Sequence, residues 1–391
     1  MTTPNAPSQD ALAQDSLPAT PDGPSMQPHS DPSDRSEPGP TRESLPAELT
    51  VRRVSAADHA AWDAFVDACP KATFFHLTGW ARAVCEEFGH EDRGWIALSG
   101  ERVVGVLPII CCRGLRGGRA LISAAYGVYG GPVGESREIE HALFRAAEAD
   151  AIELKAGRLE LRCLEDPGLD LPKADLHATF IRDLPETPED VLKGMPKKAR
   201  ADARKARKNH ELCLFEGRWF VADLVRLFHN NKRSLGSPAL PATFFTRLLE
   251  IFGKRATVHV VKRGGEPLSA VMSFLFRDQV LAYYSGTGEG VDRAYKASCF
   301  MYMALQEWSI EQGYRVFDFG RSRKESGPFS FKTHQGFEAR DLHYSFCLVK
   351  DTGLPTLNPS NPKTKVLQET WKRLPLALTT RLSGRAARYL P

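Results

Sequence analysis

The sequence predicts an α/β chain made of two tandem copies of one αβ unit, with mixed, largely antiparallel sheets. The first observation is a hairpin pattern that occurs twice. Residues 94–98, a turn at Ser99-Gly100-Glu101 and an apolar run over 103–112 are matched later by 257–263, a turn at Gly264-Gly265-Glu266 and an apolar strand over 267–276. The second is the order of elements after each hairpin: a helix, a single glycine and a further strand. These fall at 138–155, Gly157 and 158–163 in the first copy, and at 298–312, Gly313 and 314–319 in the second, after a strand over 280–285. The third is the repetition itself, since a fixed order of elements recurring along a chain marks a duplicated unit.

In chain order, residues 1–48 are rich in Pro, Ser, Asp and Glu and contain no run of large apolar residues, so they predict a disordered tail. Structure starts with a strand over 49–54. A helix over 56–68 comes next, carrying Trp62, Phe65 and Val66, and a second helix over 78–88 has Thr78 placed to cap it. In the helix over 298–312, Phe300, Met301, Ala304, Leu305 and Trp308 form one stripe that reads as core, and Gly313 reads as the residue that ends it. The predicted domains are 49–185 and 186–350, with an extension over 351–391.

The 391 residues are enough for two domains, and 42% hydrophobic content is ordinary for a globular chain. A net charge of +4 does not announce a nucleic-acid binder, so the placement of the charges matters more than their sum. The eight cysteines contain no CxxC pair and read as buried thiols in a reducing compartment. No secretory h-region and no apolar run of the roughly 18 residues needed to span a bilayer is present, so the expected location is cytoplasmic. There is no HExxH, no zinc-spaced Cys/His cluster, no GxSxG elbow and no Walker loop, and no metal site is expected.

The chemistry concentrates in Phe317-Asp318-Phe319-Gly320-Arg321 and, shortly after, in Phe331-Lys332-Thr333-His334-Gln335-Gly336-Phe337. A carboxylate and two cations stand near a strand end beside glycines, where a ligand phosphate can approach. Arg321 and Lys332 are the expected anion contacts, with Lys332 also expected to be catalytic. Asp318 either orients or deprotonates an acceptor amine or caps its own loop. His334 either acts as a base or is packed or exposed. Tyr126 and Tyr129, in the loop 126–132, either wall a cleft or form a tight turn.

This segment resembles the C-terminal signature of the FemAB-like branch of the GNAT-fold acyltransferases, and the duplicated unit resembles their tandem GNAT-like domains. A narrower likeness is to the FemAB-type proteins associated with exosortase (PEP-CTERM) and exopolysaccharide gene clusters. It rests on residues 74–80, 126–132, 195–208 and 317–337 and spans about 49–350. The resemblance implies transfer of an acyl or aminoacyl group to an amine, in cell-envelope or exopolysaccharide metabolism. The donor is either aminoacyl-tRNA or acetyl-CoA. The expected partners are an anionic or phosphorylated envelope precursor and charged tRNA. The alternatives are an acetyl-CoA-dependent N-acetyltransferase and a non-catalytic anion- or nucleic-acid-binding module.

Two further segments bear on that choice. Lys197, Arg200, Arg204 and Lys208 recur at helical spacing opposite Ala199, Ala203 and Ala206, which reads either as a solvated face or as a site for phosphate or RNA. An acetyl-CoA enzyme of the family that the chain resembles places glycines between the meander and the main helix to hold a pyrophosphate. Here the glycines precede Arg293, and Tyr295 and Lys296 add bulk, although Lys296 also offers a cation for an anionic substrate. Finally, residues 370–391 carry Lys372, Arg373, Arg381, Arg385 and Arg388 with no acid, interleaved with Trp371, Leu374, Leu376, Leu378, Leu382, Tyr389 and Leu390. This predicts either peripheral contact with an anionic inner-membrane surface or packing on the body of the protein.

Overall fold

A computed structural model describes residues 49–115, 117–355 and 362–391. The predicted disordered tail over 1–48 and residues 358–361 lie outside the described residues. The described residues fall in one compact unit.

The first half runs β1 (Leu49–Arg53), α1 (His59–Ala68), α2 (Thr78–Phe88), β2 (Glu91–Asp92), β3 (Trp95–Ser99), β4 (Arg102–Leu107), β5 (Ile109–Arg113), β6 (Arg119–Ser123), β7 (Val133–Gly134), α3 (Arg137–Glu153), β8 (Arg158–Cys163), β9 (Lys173–Ala174), β10 (His177–Thr179) and β11 (Ile181–Asp183). Thr78 does not cap α2. It is the first helical residue, and its backbone N–H and hydroxyl both donate to the Asp63 carboxylate, at 2.8 and 2.9 Å. A carboxylate from α1 thus satisfies the donor that a cap would serve. The expected single strand over 103–112 is two strands, because Pro108 interrupts the ladder. β4 pairs in a sheet of order β1-β3-β4-β7, and β5 in a sheet of order β2-β5-β6-β8-β19-β9.

The second half runs α4 (Pro188–Gly194), α5 (Lys197–His210), β12 (Cys213–Glu216), α6 (Val221–Ser234), α7 (Ala242–Phe252), β13 (Ala256–Arg263), β14 (Glu266–Phe276), β15 (Gln279–Thr287), α8 (Val291–Tyr295), α9 (Ala297–Glu311), β16 (Val316–Asp318), β17 (Ser322–Arg323), α10 (Gly327–His334), β18 (Arg340–Asp341) and β19 (His343–Leu348). Helices α11 (Pro362–Arg373) and α12 (Leu376–Ala387) complete it. Its six-stranded sheet has the order β11-β16-β15-β14-β13-β12, and β10 joins β17 and β18 in a small third sheet. The apolar stripe of α9 is core as expected: Phe300, Met301 and Leu305 are buried, and Gly313 comes after the helix with φ +85°.

The halves exchange strands. β11, from before the expected boundary near residue 185, pairs with β16, and β19, from the end of the second half, pairs with β8 over six residues. One aromatic core also spans both halves. Phe74 stacks on Phe274 with ring centroids 4.4 Å apart, and Trp80, 1% exposed, packs edge-on against Phe244 and Phe274. Burying each such ring contributes roughly 1.5–3 kcal/mol, so the two halves stabilise each other.

Of the eight cysteines, Cys111, Cys112, Cys163 and Cys299 are buried and none is in a disulfide. Cys213 is exposed on the edge strand β12, unlike the buried thiol that its apolar neighbours suggest.

Candidate functional site

β15 and β16 are hydrogen-bonded in parallel over only three residue pairs: Gln279–Val316, Val280–Phe317 and Leu281–Asp318. Beyond them β15 continues to Thr287, while the segment after β16 turns away at Gly320, whose φ is +70°. The strands therefore splay, and a cleft of about 680 Å³ occupies the gap. Its walls come from β15, from Ser298 and Tyr302 of α9, from residues 319–322, from α10 and from the C-terminal end of α6. Helix α6 reaches the cleft because it lies directly on β15 at Gly286, where a Cβ would stand 2.4 Å from the Phe228 nitrogen.

Lys332 enters this cleft from α10, a helix that the aromatic and glycine pattern of the segment does not suggest. The helix forms because Ser326 caps it, its Oγ accepting from the Phe329 N–H at 3.3 Å, and because Pro328 lies in the first turn. The Lys332 amine donates to the carbonyl oxygens of Gly320 and Arg321, at 2.7 and 3.2 Å, and lies over the rings of Phe180 and Phe319. Burial lowers its pKa to about 7, the effect of Asp318 opposing the shift and that of Arg321 adding to it. Lys332 is thus not the fixed cation that the sequence suggests but an amine that titrates near neutrality.

Asp318, 1% exposed, caps its own loop by accepting from the Gly320 N–H at 2.7 Å. It also accepts from the Tyr129 hydroxyl at 3.2 Å. Burial raises its pKa to about 6 against the opposing pull of the Gly320 N–H, Tyr129 and Lys332. It lies behind the cleft, facing a void of about 20 Å³ walled by Phe75, Tyr129 and Phe276. A void of that size accommodates one water.

Arg321 does line the cleft. Its guanidinium donates to the Tyr344 hydroxyl at 3.1 Å, and that hydroxyl donates to the Val128 carbonyl at 2.8 Å. The exchanged strand β19 therefore fixes Arg321 against the first half. Lys232, absent from the residues that the sequence singles out, lines the same cleft from α6, its amine 5.3 Å from the Phe228 ring centroid. Burial, and secondarily Arg321, lower its pKa. No local motif marks Lys232. It is brought in only by the packing of α6 on β15.

Among the described residues, no carboxylate forms a salt bridge with Lys232, Arg321 or Lys332. The fourth cation of the cleft, Arg162, is paired with the buried Glu160 at 2.8 Å. Asp292, the one Asp or Glu in the wall among the described residues, is already engaged: its carboxylate accepts from the N–H and the hydroxyl of Ser298, both at 2.7 Å. A second cavity, of about 300 Å³ and lined by other residues, differs in that its lysine is matched, Lys71 with Glu140, as is Arg340 with Glu165.

Tyr126 lines the cleft and is also a packed ring, stacked on Phe88 at 4.3 Å, so both sequence alternatives describe it. Lys197, Arg200 and Arg204 project from α5 away from the cleft wall, while Ala199, Ala203 and Ala206 are buried in the core that includes α9. Tyr295 and Lys296 do not line the cleft either. Tyr295 packs edge-on to His210, and Lys296 ends α8 with φ +57°. His334 is exposed at the end of α10 and does not face the cleft. No group of His, Cys, Asp and Glu among the described residues is arranged to hold a metal.

Residues 196–333, which build most of this site, match the family model described as an acetyltransferase (GNAT) domain. No curated protein sequence is significantly similar to the chain. The solved structure of FemX superimposes with a TM-score of 0.58 at 13% identity, covering 76% of this chain and 97% of FemX. A tandem GNAT protein from the clavulanic acid biosynthesis pathway gives a TM-score of 0.49 at 14% identity, covering 79% of this chain and 100% of that one. L-PGS from Bacillus licheniformis gives 0.43 at 17% identity, covering 79% and 97%. The fold is thus α/β with mixed sheets, shared with FemX.

Proposed function

We propose that the chain is a GNAT-type acyltransferase that passes an acyl or aminoacyl group to an amine held in the β15–β16 cleft. The observation that carries this reading is the convergence of Lys232, Arg321 and Lys332, without acid partners among the described residues, on one cleft at a strand splay. Such a cleft attracts the anionic parts of substrates, because no carboxylate among the described residues forms a salt bridge with Lys232, Arg321 or Lys332. The Lys332 amine, with its pKa near 7, suits proton transfer at neutral pH. In this scheme its neutral form takes the proton from the acceptor ammonium, the freed amine attacks the acyl carbonyl carbon, and as the bond to the donor's carrier breaks the carrier leaves with the proton shed by the new amide nitrogen. Arg321 stabilises negative charge developing on the carbonyl oxygen. Asp318 acts through Gly320, holding the turn whose carbonyl receives Lys332.

The state of the α9 N-terminus favours an aminoacyl or other carrier over acetyl-CoA. Helix N-termini attract phosphates, but the Asp292 carboxylate already takes the Ser298 N–H and hydroxyl there. The likeness of residues 74–80, 126–132, 195–208 and 317–337 to FemAB-type proteins of exosortase-associated clusters supports an envelope precursor as acceptor. The exposed cations of α5 offer a separate surface for a charged tRNA or another anionic partner.

The test is calorimetric titration of the purified chain with acetyl-CoA, charged tRNA and a nucleotide sugar, repeated with Lys232→Gln and Arg321→Gln. A phosphorylated substrate should bind about tenfold or more weakly to each variant, as expected for a lost charge-assisted contact. Unchanged affinity in both variants rejects the cleft as the site. Saturable acetyl-CoA binding promotes the N-acetyltransferase reading instead.

A further inference from the structure

The C-terminal helix α12 packs on the body of the protein with the wrong residues for a simple core contact. Thr379, Ser383 and Ala387, at 2–4% exposure, face inward, while Leu378 is 42% exposed, Tyr389 38% and Leu390 48%. The seat is specific. The Ser383 hydroxyl accepts from the Ala239 N–H at 3.1 Å, Thr380 bonds His229 at 3.1 Å, and the Tyr126 hydroxyl lies 3.0 Å from the carbonyl oxygens of both Ala387 and Arg388. A helix held by its small polar face, with Leu376 and Leu382 half-buried, Leu378 exposed on it and Tyr389 and Leu390 exposed just past its end, has a second surface to satisfy.

The outward stripe is Leu378, Arg381, Arg385 and Tyr389, spaced by three or four residues. Arg381 and Arg385 make no salt bridge among the described residues, and 370–391 holds no acid. The stripe runs toward the rim of the cleft, where Leu390 and Leu235, the latter 57% exposed, both form part of the wall. Cations interleaved with exposed leucines and a tyrosine match an anionic bilayer, whose headgroups take the charges while its interface takes the apolar tips. A nucleic acid would use the cations but leave the leucines in water. Helix α5 shows that contrast, its exposed face carrying Lys and Arg without large apolar residues. No helix among the described residues is long and apolar enough to cross a membrane, so the contact is peripheral.

We propose that α12 and the Leu235–Leu390 rim dock the chain on an anionic lipid surface with the mouth of the cleft at the bilayer. That the bilayer supplies the acceptor rests on the transfer reading above; the docking does not. The experiment is flotation of the full chain with vesicles of equal parts phosphatidylcholine and phosphatidylglycerol, against phosphatidylcholine alone. The chain should float only with the anionic vesicles. Replacing both Arg381→Gln and Arg385→Gln should weaken vesicle affinity about thirtyfold, at roughly 1 kcal/mol per charge, and Leu378→Glu about tenfold. All three side chains are exposed, so circular dichroism of the variants should match that of the parent chain. No flotation by the parent chain, equal flotation with both vesicles, or variants that float like the parent overturns the proposal. So does binding that survives these changes and is lost in Lys197→Gln/Arg204→Gln. Turnover of a water-soluble amine acceptor reports the transfer reading separately, and flotation without any turnover supports the docking while rejecting transfer.

Discussion

The two halves contain the same opening and treat it oppositely. In the first, β6 and β8 run parallel over three pairs, Ala120–Arg158, Leu121–Leu159 and Ile122–Glu160, and then separate. In the second, β15 and β16 do the same. The first splay is filled by its own loop. The Arg162 N–H donates to the Ser123 hydroxyl and the Gly130 N–H to the Arg162 carbonyl, both at 2.7 Å, and the Tyr344 hydroxyl reaches the Val128 carbonyl. Glycines are needed there because the loop has no spare room: a Cβ at Gly130 would lie 2.3 Å from the Ala124 Cβ, and one at Gly131 2.3 Å from the Cys163 Sγ. The second splay keeps its cleft, where Lys232, Arg321 and Lys332 form no salt bridge among the described residues. The two halves thus offer two openings, and the first, once filled, supports the second by seating Arg321 through Tyr344.

The sharpest way to break this contrast is Lys332→Ala. Transfer should fall by roughly 10²–10⁴, the range for a lost acid–base group, while the urea midpoint stays near that of the parent chain. Turnover within a few-fold of the parent removes Lys332 from the mechanism. On the filled side, Gly130→Ala should do the reverse, destabilising by about 1–3 kcal/mol through overpacking, with kcat of the remaining folded protein retained. A urea midpoint equal to that of the parent chain would show that the loop is not tightly held.

The pH dependence sharpens the open side. Lys332 works as a base only when neutral, and with a pKa near 7 it is neutral above that value. kcat/KM should therefore drop about tenfold per pH unit below 7. A profile flat from pH 8 to pH 5.5 assigns the base elsewhere. The smallest effect concerns Asp318. Its pKa is raised from 3.8 to about 6 in the fold, so the stability it contributes is complete below pH 3.8 and is lost as pH rises through 6. Asp318→Asn should thus raise the melting temperature relative to the parent chain at pH 8, with the difference shrinking between pH 6 and pH 4. A difference that does not change with pH means that the carboxylate does not titrate in this range.

What the sequence determined by itself was local. Hairpins and helices arise from alternation and periodicity within a few residues, so the repeated unit, the stripe of α9, the alanine face of α5 and Gly313 were all legible. Two further outcomes also rest on local residues: Pro108 divides a strand, and Ser326 with Pro328 starts the helix that carries Lys332. The tertiary structure alone decided which splay stays open, because that depends on a loop meeting strands far along the chain. It alone brought Lys232 beside Arg321 and inserted β11 and β19 into the opposite halves. It also moved Lys332 from a fixed cation to a titrating amine and Asp318 from a strand-end carboxylate to a buried one. The physical reason is that burial and long-range contact set the charge state and accessibility of a side chain, and neither leaves a periodic trace in the sequence around it.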